Sequence, residues 1–507
     1  MRIMLVQPKL NPRVASLGKL EPIALEILAA ALPGHQVRIF DFRFERSLAC
    51  EIKDWQPDIV GVTALTVEYP EAVTAIQEVR GCSPGIRIVV GGTHATMSPG
   101  DFNLPGVAAI VRGLGHRTFS ELIGAFISGN DPAVIPGLAL PRDGKLLFTG
   151  NRPPETEFSE IPRPARSLTE RYRRFYRPTY YKSNVGVAIT SLGCPARCAF
   201  CSSWKQNEGR YLELDAKSVV EDILSVPEDE VMLADDNSLH NTERAWEIAR
   251  LLRERKNHKR IRTYARADTI AANPDLLKAL RAAGLRALIV GYEAASDARL
   301  RRYNKGTTME INRAAMKVLR EAGIQNRAMF VISQDFTRED FDELSGFIES
   351  EGVCSPQFTV FTPTPGTPLY EQEQENLLTR EYAYYDFTHC VLPTRMDYMA
   401  FFDEYAGLYK RAYSPLRYLR MWRRDLGEFL LQGRWPMTER RLTSLARSVI
   451  AGMVLNRRMR TLRRDYEVLA ADVLPAGGDP VADGSEMEAG QLGTVNAVES
   501  LVGIERT

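Results

Sequence analysis

Three thiols lie close together in Ser191-Leu192-Gly193-Cys194-Pro195-Ala196-Arg197-Cys198-Ala199-Phe200-Cys201. Spacings of four and three residues, on a loop that carries glycine and proline, let three thiolates wrap one side of a cubane iron–sulfur cluster and leave a fourth iron open. A zinc site needs a fourth protein ligand, usually from a second close pair. Cys50, Cys82, Cys354 and Cys390 are isolated in the sequence, so zinc would have to recruit a distant residue such as His240. An odd total of seven cysteines, three of them clustered, is no secreted disulfide framework and points to a reducing, cytoplasmic setting.

Two further sets of residues have chemistry to offer. Asp235-Asp236-Asn237, Arg266 and Glu293 supply carboxylates, an amide and a cation, each at the end of a candidate strand. Nearer the start, Gln7, Thr63, Thr66, Gly91-Gly92-Thr93-His94, Gly113 and Gly115 are small or polar, so a large flat ligand or a phosphate can approach the backbone. Lys305, inside Asn304-Lys305-Gly306, reads as a solvated turn residue.

The elements that must position these residues follow from the apolar pattern. Short apolar runs at Ile3–Val6, Gln36–Phe40, Ile59–Thr63, Ile86–Val90 and Ala108–Val111 alternate with amphipathic stretches at Pro22–Leu32, Pro70–Arg80 and Arg117–Ile127. That alternation predicts an α/β, doubly wound, flavodoxin- or Rossmann-like domain over residues 1–150, with its ligand at the carboxyl ends of the strands. Residues 151–184, with five prolines, read as an ordered linker across a surface. A second alternation spans 185–372, with strands expected at Val185–Thr190, Glu230–Ala234, Arg262–Ala265, Ala287–Val290, Ala328–Ile332 and Gln357–Phe361. Six strand–helix pairs are too few for a closed barrel of about 250 residues and predict a partial (β/α)6 barrel. Helical, aromatic-rich sequence fills 373–474, and an acidic, Gly-rich tail at 475–507 reads as disordered.

Composition narrows the function classes. The 507 residues carry 65 Lys and Arg against 64 Asp and Glu, which excludes a uniformly basic nucleic-acid binder. Residues 410–464 nonetheless hold 15 basic residues against three acids, interleaved with Tyr, Trp, Leu, Met and Phe. Such a segment suits either peripheral contact with anionic lipid at the inner membrane face or a helical cap with a solvated basic face. An RNA-binding use of the same patch is disfavoured, because its aromatics sit in helical contexts. Met1–Pro8 reads as a first strand rather than a signal peptide, and no uncharged apolar stretch reaches the roughly 18 residues of a membrane span.

The CxxxCxxC loop, on the first strand of a second α/β domain, resembles the radical S-adenosylmethionine superfamily. Asp235-Asp236-Asn237, Arg266-Ala267-Asp268, Gly291-Tyr292-Glu293, Asn304–Thr308 and Thr364–Tyr370 follow in that family's order. The resemblance implies that Cys194, Cys198 and Cys201 hold a 4Fe-4S cluster. S-adenosylmethionine would then meet Phe200, Asp235, Asp236, Asn237, Arg266 and Glu293, its ammonium on the aspartates, its ribose or ammonium on Glu293, and its carboxylate on Arg266.

The preceding doubly wound domain is similar to that of the cobalamin-dependent branch, through Gly91–Thr96 and Val111–Phe119. By that resemblance cobalamin would contact Gln7, Thr63, Thr66, Gly91, Gly92, Thr93, His94, Gly113 and Gly115. The chain departs from the branch at Leu114 and His116, where glutamates are usual, and it lacks an Asp-x-His-x-x-Gly motif, so no histidine is placed to ligate cobalt. Leu20-Glu21-Pro22, Ser203-Trp204-Lys205 and the stretch Phe358–Tyr409 further resemble the hopanoid C-3 methylases. The implied activity is methylation of an unactivated carbon of a hopanoid- or terpenoid-like lipid, through methylcobalamin and a 5′-deoxyadenosyl radical. A flavodoxin- or ferredoxin-like donor would supply electrons. Two alternatives stand beside it: a related natural-product enzyme that methylates or closes rings, and a zinc-stabilised binding protein without catalysis.

Overall fold

The computed structural model describes residues 1–10, 19–153, 157–158, 161–178, 183–421, 423 and 457–471. Its first sheet contains β1 (Arg2–Gln7), β2 (Gln36–Asp41), β3 (Ile59–Thr63), β4 (Arg87–Gly91), β5 (Val107–Val111), β6 (Leu138–Arg142) and β7 (Lys145–Phe148), in the order β2-β1-β3-β4-β5-β6-β7. The first five strands are parallel, and the chain order reverses at β1, the usual place for a ligand crevice. Alternation along β1 sends Met4 and Val6 to one face and Ile3 and Leu5 to the other. Helices Leu48–Trp55 and Tyr69–Cys82 cover the first face, and Ile23–Ala30 and Gly115–Ser128 the second. Strands buried on both faces account for the uninterrupted apolar runs in the sequence.

The antiparallel hairpin β6–β7 extends this sheet beyond the five expected strands. Its turn is Asp143-Gly144, both at positive φ, the conformation that matches a hairpin's twist.

The second sheet is wholly parallel: β8 (Val185–Ala188), β11 (Glu230–Leu233), β12 (Arg260–Tyr264), β13 (Leu285–Glu293), β14 (Gln325–Ile332) and β15 (Gln357–Val360), in the order β15-β14-β13-β12-β11-β8. This is the expected six-stranded partial barrel. Between β8 and β11 a two-residue pair, β9 (Ser191–Leu192) and β10 (Leu212–Glu213), closes the base of the cysteine loop.

Residues 166–175 form a 3-10 helix wedged between the two sheets, with Tyr172 and Tyr176 buried. Arg166 grips Asp222 at 2.8 and 3.1 Å and Val187 O at 2.9 Å on the barrel side. Thr169 donates to Glu26, and Tyr176 Oη to Asp41 at 3.2 Å, on the first domain's side. Glu21 of the first domain accepts from Val187 N at 3.0 Å and from Arg173 at 3.2 Å. The expected ordered linker is therefore a strut that ties the two domains together, with Thr169 and Tyr172 buried and Ser167, Glu170, Arg171, Arg174 and Phe175 exposed.

Beyond β15 the described chain is helical or irregular. Tyr398–Ala412 packs on Arg338–Ser350, and the helix at 457–471 closes the apolar core through Met459, Leu462, Tyr466 and Leu469. No described helix is long and apolar enough to cross a membrane. Most of the basic segment, 424–456, and the acidic tail lie outside the described residues.

Candidate functional site

The cysteine loop is shaped by backbone constraints. Gly193 has φ +83°, and a Cβ there would collide with Arg210 O, so the chain turns at the only residue type that fits. Ala199 N donates to Tyr303 O at 3.0 Å, Asn304 Nδ2 to Arg197 O at 2.8 Å, and Trp204 Nε1 to Cys198 O at 3.1 Å. Phe200 packs edge-on against Tyr303 at 5.7 Å. Cys198 is buried and Cys194 and Cys201 are half-buried, and all three are free thiols. Burial pushes the Cys194 and Cys198 thiols up, while Arg266 beside both and Lys305 beside Cys198 favour the thiolates.

The carboxylates divide their duties. Asp235, at the end of β11 and 2% exposed, accepts from Thr190 N at 2.7 Å, Thr190 Oγ1 at 2.5 Å and Ser191 N at 3.1 Å, so its oxygens tie down the start of the loop. Burial raises its pKa and these donors oppose the rise. The exposed Asp236 accepts from Gly193 N at 2.9 Å. Asn237 is buried; its Nδ2 lies 4.0 Å from Cys194 Sγ, and its Oδ1 has no hydrogen-bond partner within the chain.

Glu293, at the carboxyl end of β13 with φ +64°, accepts from Lys305 Nζ at 2.8 Å. Lys305 is buried, contrary to the solvated turn expected of Asn-Lys-Gly: the turn folds inward because Arg266 Nη2 takes the Lys305 carbonyl at 2.7 Å and Glu293 neutralises the ammonium. Arg266 is itself held by Asp268 at 2.8–3.2 Å. Gly291, part of the Gly291-Tyr292-Glu293 motif, gives the Glu293 carboxylate its room: a Cβ there would run into it.

These residues fit an S-adenosylmethionine-chelated 4Fe-4S cluster. Three free thiols on one loop make the right donor set, and an unpartnered buried acceptor, Asn237 Oδ1, stands beside Cys194. Among the described residues no three His, Cys, Asp or Glu side chains converge as a single metal ion requires. His240 instead lies edge-on to Tyr211 at 4.8 Å.

At the carboxyl ends of the first sheet, Gly92 has φ +98°, and a Cβ there would stand 2.7 Å from Thr63 Oγ1 and 2.8 Å from Ala64 O. Thr96 donates to Gly92 O at 2.9 Å and accepts from Gly113 N at 3.0 Å, so one hydroxyl joins the two glycine loops; it lies within the sequence stretch that suggested the site. Gly113 faces open space and Gly115 starts the following helix, which leaves room for a broad ligand. Gln7 Nε2 donates to the buried Glu68 at 3.1 Å. His94 does not present its ring to this groove. It is fully buried, with Nδ1 3.2 Å from Thr66 Oγ1, Nε2 3.1 Å from Asp101, and Tyr69, Phe102 and Tyr382 around it. Only its backbone lines the loop.

The two domains touch at the carboxyl ends of their sheets. Tyr382, from beyond the barrel, stacks edge-on against His94 at 4.6 Å and Tyr69 at 5.4 Å, and Met97 abuts Gly366. Loops following β4 and β15, the carboxyl ends of the two sheets, are thereby in contact.

Comparison with known proteins agrees with this division. A B12 binding domain model matches residues 13–123 and a Radical SAM superfamily model matches residues 188–348. An uncharacterized methyltransferase of Pyrococcus horikoshii is 30% identical over 76% of this chain and 86% of its own length. The hopanoid C-3 methylase of Methylococcus capsulatus is 25% identical over 80% of this chain and 78% of its own. An anaerobic magnesium-protoporphyrin IX monomethyl ester cyclase of Rubrivivax gelatinosus is 28% identical over 83% and 79%. Among solved structures, the radical S-adenosylmethionine methyltransferase TsrM of Kitasatospora setae, with cobalamin and a 4Fe-4S cluster bound, shares the fold with a TM-score of 0.62 and 21% identity, over 74% of this chain and 78% of that one. A zinc-stabilised, non-catalytic protein is thereby overturned: with its thiol loop on a parallel partial barrel behind a B12-type domain, this chain belongs to the cobalamin-dependent radical S-adenosylmethionine enzymes of the methyltransferase type, which use cobalamin, a 4Fe-4S cluster and S-adenosylmethionine.

Proposed function

We propose that the enzyme methylates an unactivated carbon of a hydrophobic, polycyclic lipid of the hopanoid or terpenoid type. The observation that carries the proposal is the contact between the carboxyl ends of the two sheets, at Met97–Gly366 and Tyr382–His94, with the thiol loop following the first strand of the second sheet. Likeness to the hopanoid C-3 methylase supports an apolar ring substrate.

When bound, cobalamin supplies methyl carriage, and the reduced cluster with S-adenosylmethionine supplies hydrogen abstraction. The chain's part is to bind and orient. Cys194, Cys198 and Cys201 hold the cluster, with Phe200 packing the loop. Asp236, Asn237 and Glu293 accept from ammonium and ribose, Arg266 faces the carboxylate, and Asp235 holds the loop that presents them. Gln7, Thr63, Thr66, Thr93 and the backbone of Gly91, Gly92, His94, Gly113 and Gly115 line the cobalamin groove. Electrons come from an external flavodoxin- or ferredoxin-like donor, and the basic 410–464 segment gives peripheral membrane contact at a lipid substrate's source.

Lipid profiling of a deletion strain in a hopanoid-making host, joined to an assay of reconstituted enzyme for S-adenosylhomocysteine, tests this. Loss of one methylated lipid and S-adenosylhomocysteine formation are expected. Ring closure is the second reading, favoured by the cyclase relative; cleavage of S-adenosylmethionine with no S-adenosylhomocysteine at any stage selects it.

A further inference from the structure

Lys305 is the buried cation for which the site as described has no use. Its ammonium lies 2.8 Å from Glu293 Oε1, and both residues are less than a tenth exposed. Burying such a pair costs about as much as its attraction returns, so stability alone does not account for it. Its position does. The turn that carries it is stitched to the cysteine loop by Ala199 N to Tyr303 O at 3.0 Å and Asn304 Nδ2 to Arg197 O at 2.8 Å, and to the neighbouring strand end by Arg266 Nη2 to Lys305 O at 2.7 Å. The bare Cα of Gly291 makes the room: a Cβ there would collide with the Glu293 carboxylate and stand 3.0 Å from Lys305 Nζ. The hydrogen bonds at Arg197 and Ala199 fall on either side of Cys198, so the turn that carries Lys305 runs alongside that ligand.

Building on the cluster assignment, we propose that Lys305 is a positioning residue for the cluster: a fixed cation, tethered by Glu293, that stabilises the reduced state and so sets the reduction potential. One electron taken from an external one-electron donor adds one negative charge beside Cys198, and net charge is a main determinant of a cluster's potential. The paired residues must then act with opposite signs.

The test is an EPR-monitored redox titration of the reconstituted full-length protein without S-adenosylmethionine, after iron and sulfide have been counted. Lys305→Met is expected to move the midpoint to more negative values, Glu293→Gln to less negative values, and Lys305→Arg to leave it near wild type. Midpoints that stay put, or that move the same way in Lys305→Met and Glu293→Gln, overturn the proposal. If Lys305→Met cannot hold a cluster, the sign of the Glu293→Gln shift and retention in Lys305→Arg decide. Wild-type protein that takes up no iron and sulfide refutes the cluster assignment itself, a separate result.

Discussion

Met97 occupies the space that a side chain on Gly366 would need: a Cβ there would lie 2.5 Å from the Met97 sulfur and 3.1 Å from its Cβ and Cγ. The contact joins the helix after β4 to the segment after β15, so it sets how closely the two functional halves approach.

Gly366→Ala therefore meets two penalties, displacement of Met97 and an alanine at φ +82°. The left-handed conformation alone costs about 1–2 kcal/mol. Thermal unfolding is expected to fall by several degrees, with methyl transfer falling further than stability. Met97→Ala in the same chain removes the sulfur and Cγ and should recover most of the steric part while leaving the backbone part, a non-additivity read directly from a double-mutant cycle.

The seven thiols divide by position. Serine at Cys194, Cys198 or Cys201 is expected to abolish the brown absorbance and the bound iron of anaerobically purified protein, and serine at Cys50 or Cys354 to leave both intact. Burial pushes the Cys390 thiol up to about 12 and encloses it completely. In the native apoprotein, alkylating reagents should modify the exposed Cys50 and Cys354 within minutes and Cys390 only after unfolding, as mass spectrometry of digests would reveal.

Glu26 makes stability depend on pH. Burial, reinforced by the neighbouring Glu21, raises its pKa from 4.5 to about 8. A raised pKa means that the folded state keeps a proton the unfolded chain gives up. Glu26's contribution is therefore whole below 4.5, declines as pH rises from 4.5 to 8, and is flat beyond. The slope reaches at most about 1.4 kcal/mol per pH unit. Glu26→Gln keeps an acceptor for Thr169 and removes the titration. Urea midpoints across pH 5 to 9, in steps of about one unit, should show the wild type losing ground to the variant up to about pH 8.

Arg417, 3% exposed, donates to Ala412 O at 2.9 Å, Ile348 O at 3.0 Å and Val353 O at 2.8 Å. Arg417→Met fills the volume but strands Ala412 O and Val353 O, at about 1–3 kcal/mol for each that water cannot reach, while Ile348 O keeps Val353 N at 3.1 Å. Earlier cleavage near the C-terminal helices in limited proteolysis, with the cluster's absorbance unchanged, is the expected result.

The sheets were legible in the sequence because strands buried on both faces leave apolar runs that little else produces, as Ile59–Thr63 and Glu230–Leu233 do. The cysteine loop was legible because its spacing is local. Less local features escaped. The β6–β7 hairpin hid behind a proline, Pro141, although Asp143-Gly144 is a strong turn signal. Lys305 was misjudged because Asn-Lys-Gly describes only its own turn, whereas its burial is imposed by Glu293 on one strand and Arg266 after another. His94 sits in a glycine-rich loop that looks open in sequence, yet Tyr382, nearly 300 residues later, closes over its ring. Residues 166–175 read as a surface linker since no local pattern distinguishes an arginine facing water from one, like Arg166, facing Asp222.

The strut also limits how the enzyme can exchange ligands. Swinging the first domain away from the barrel would break the hydrogen bonds of Glu21 to Val187 N and Arg173, and that of Thr169 to Glu26. Those bonds oppose a hinge between the halves, so displacement of segments at the rim is the cheaper route for a large substrate.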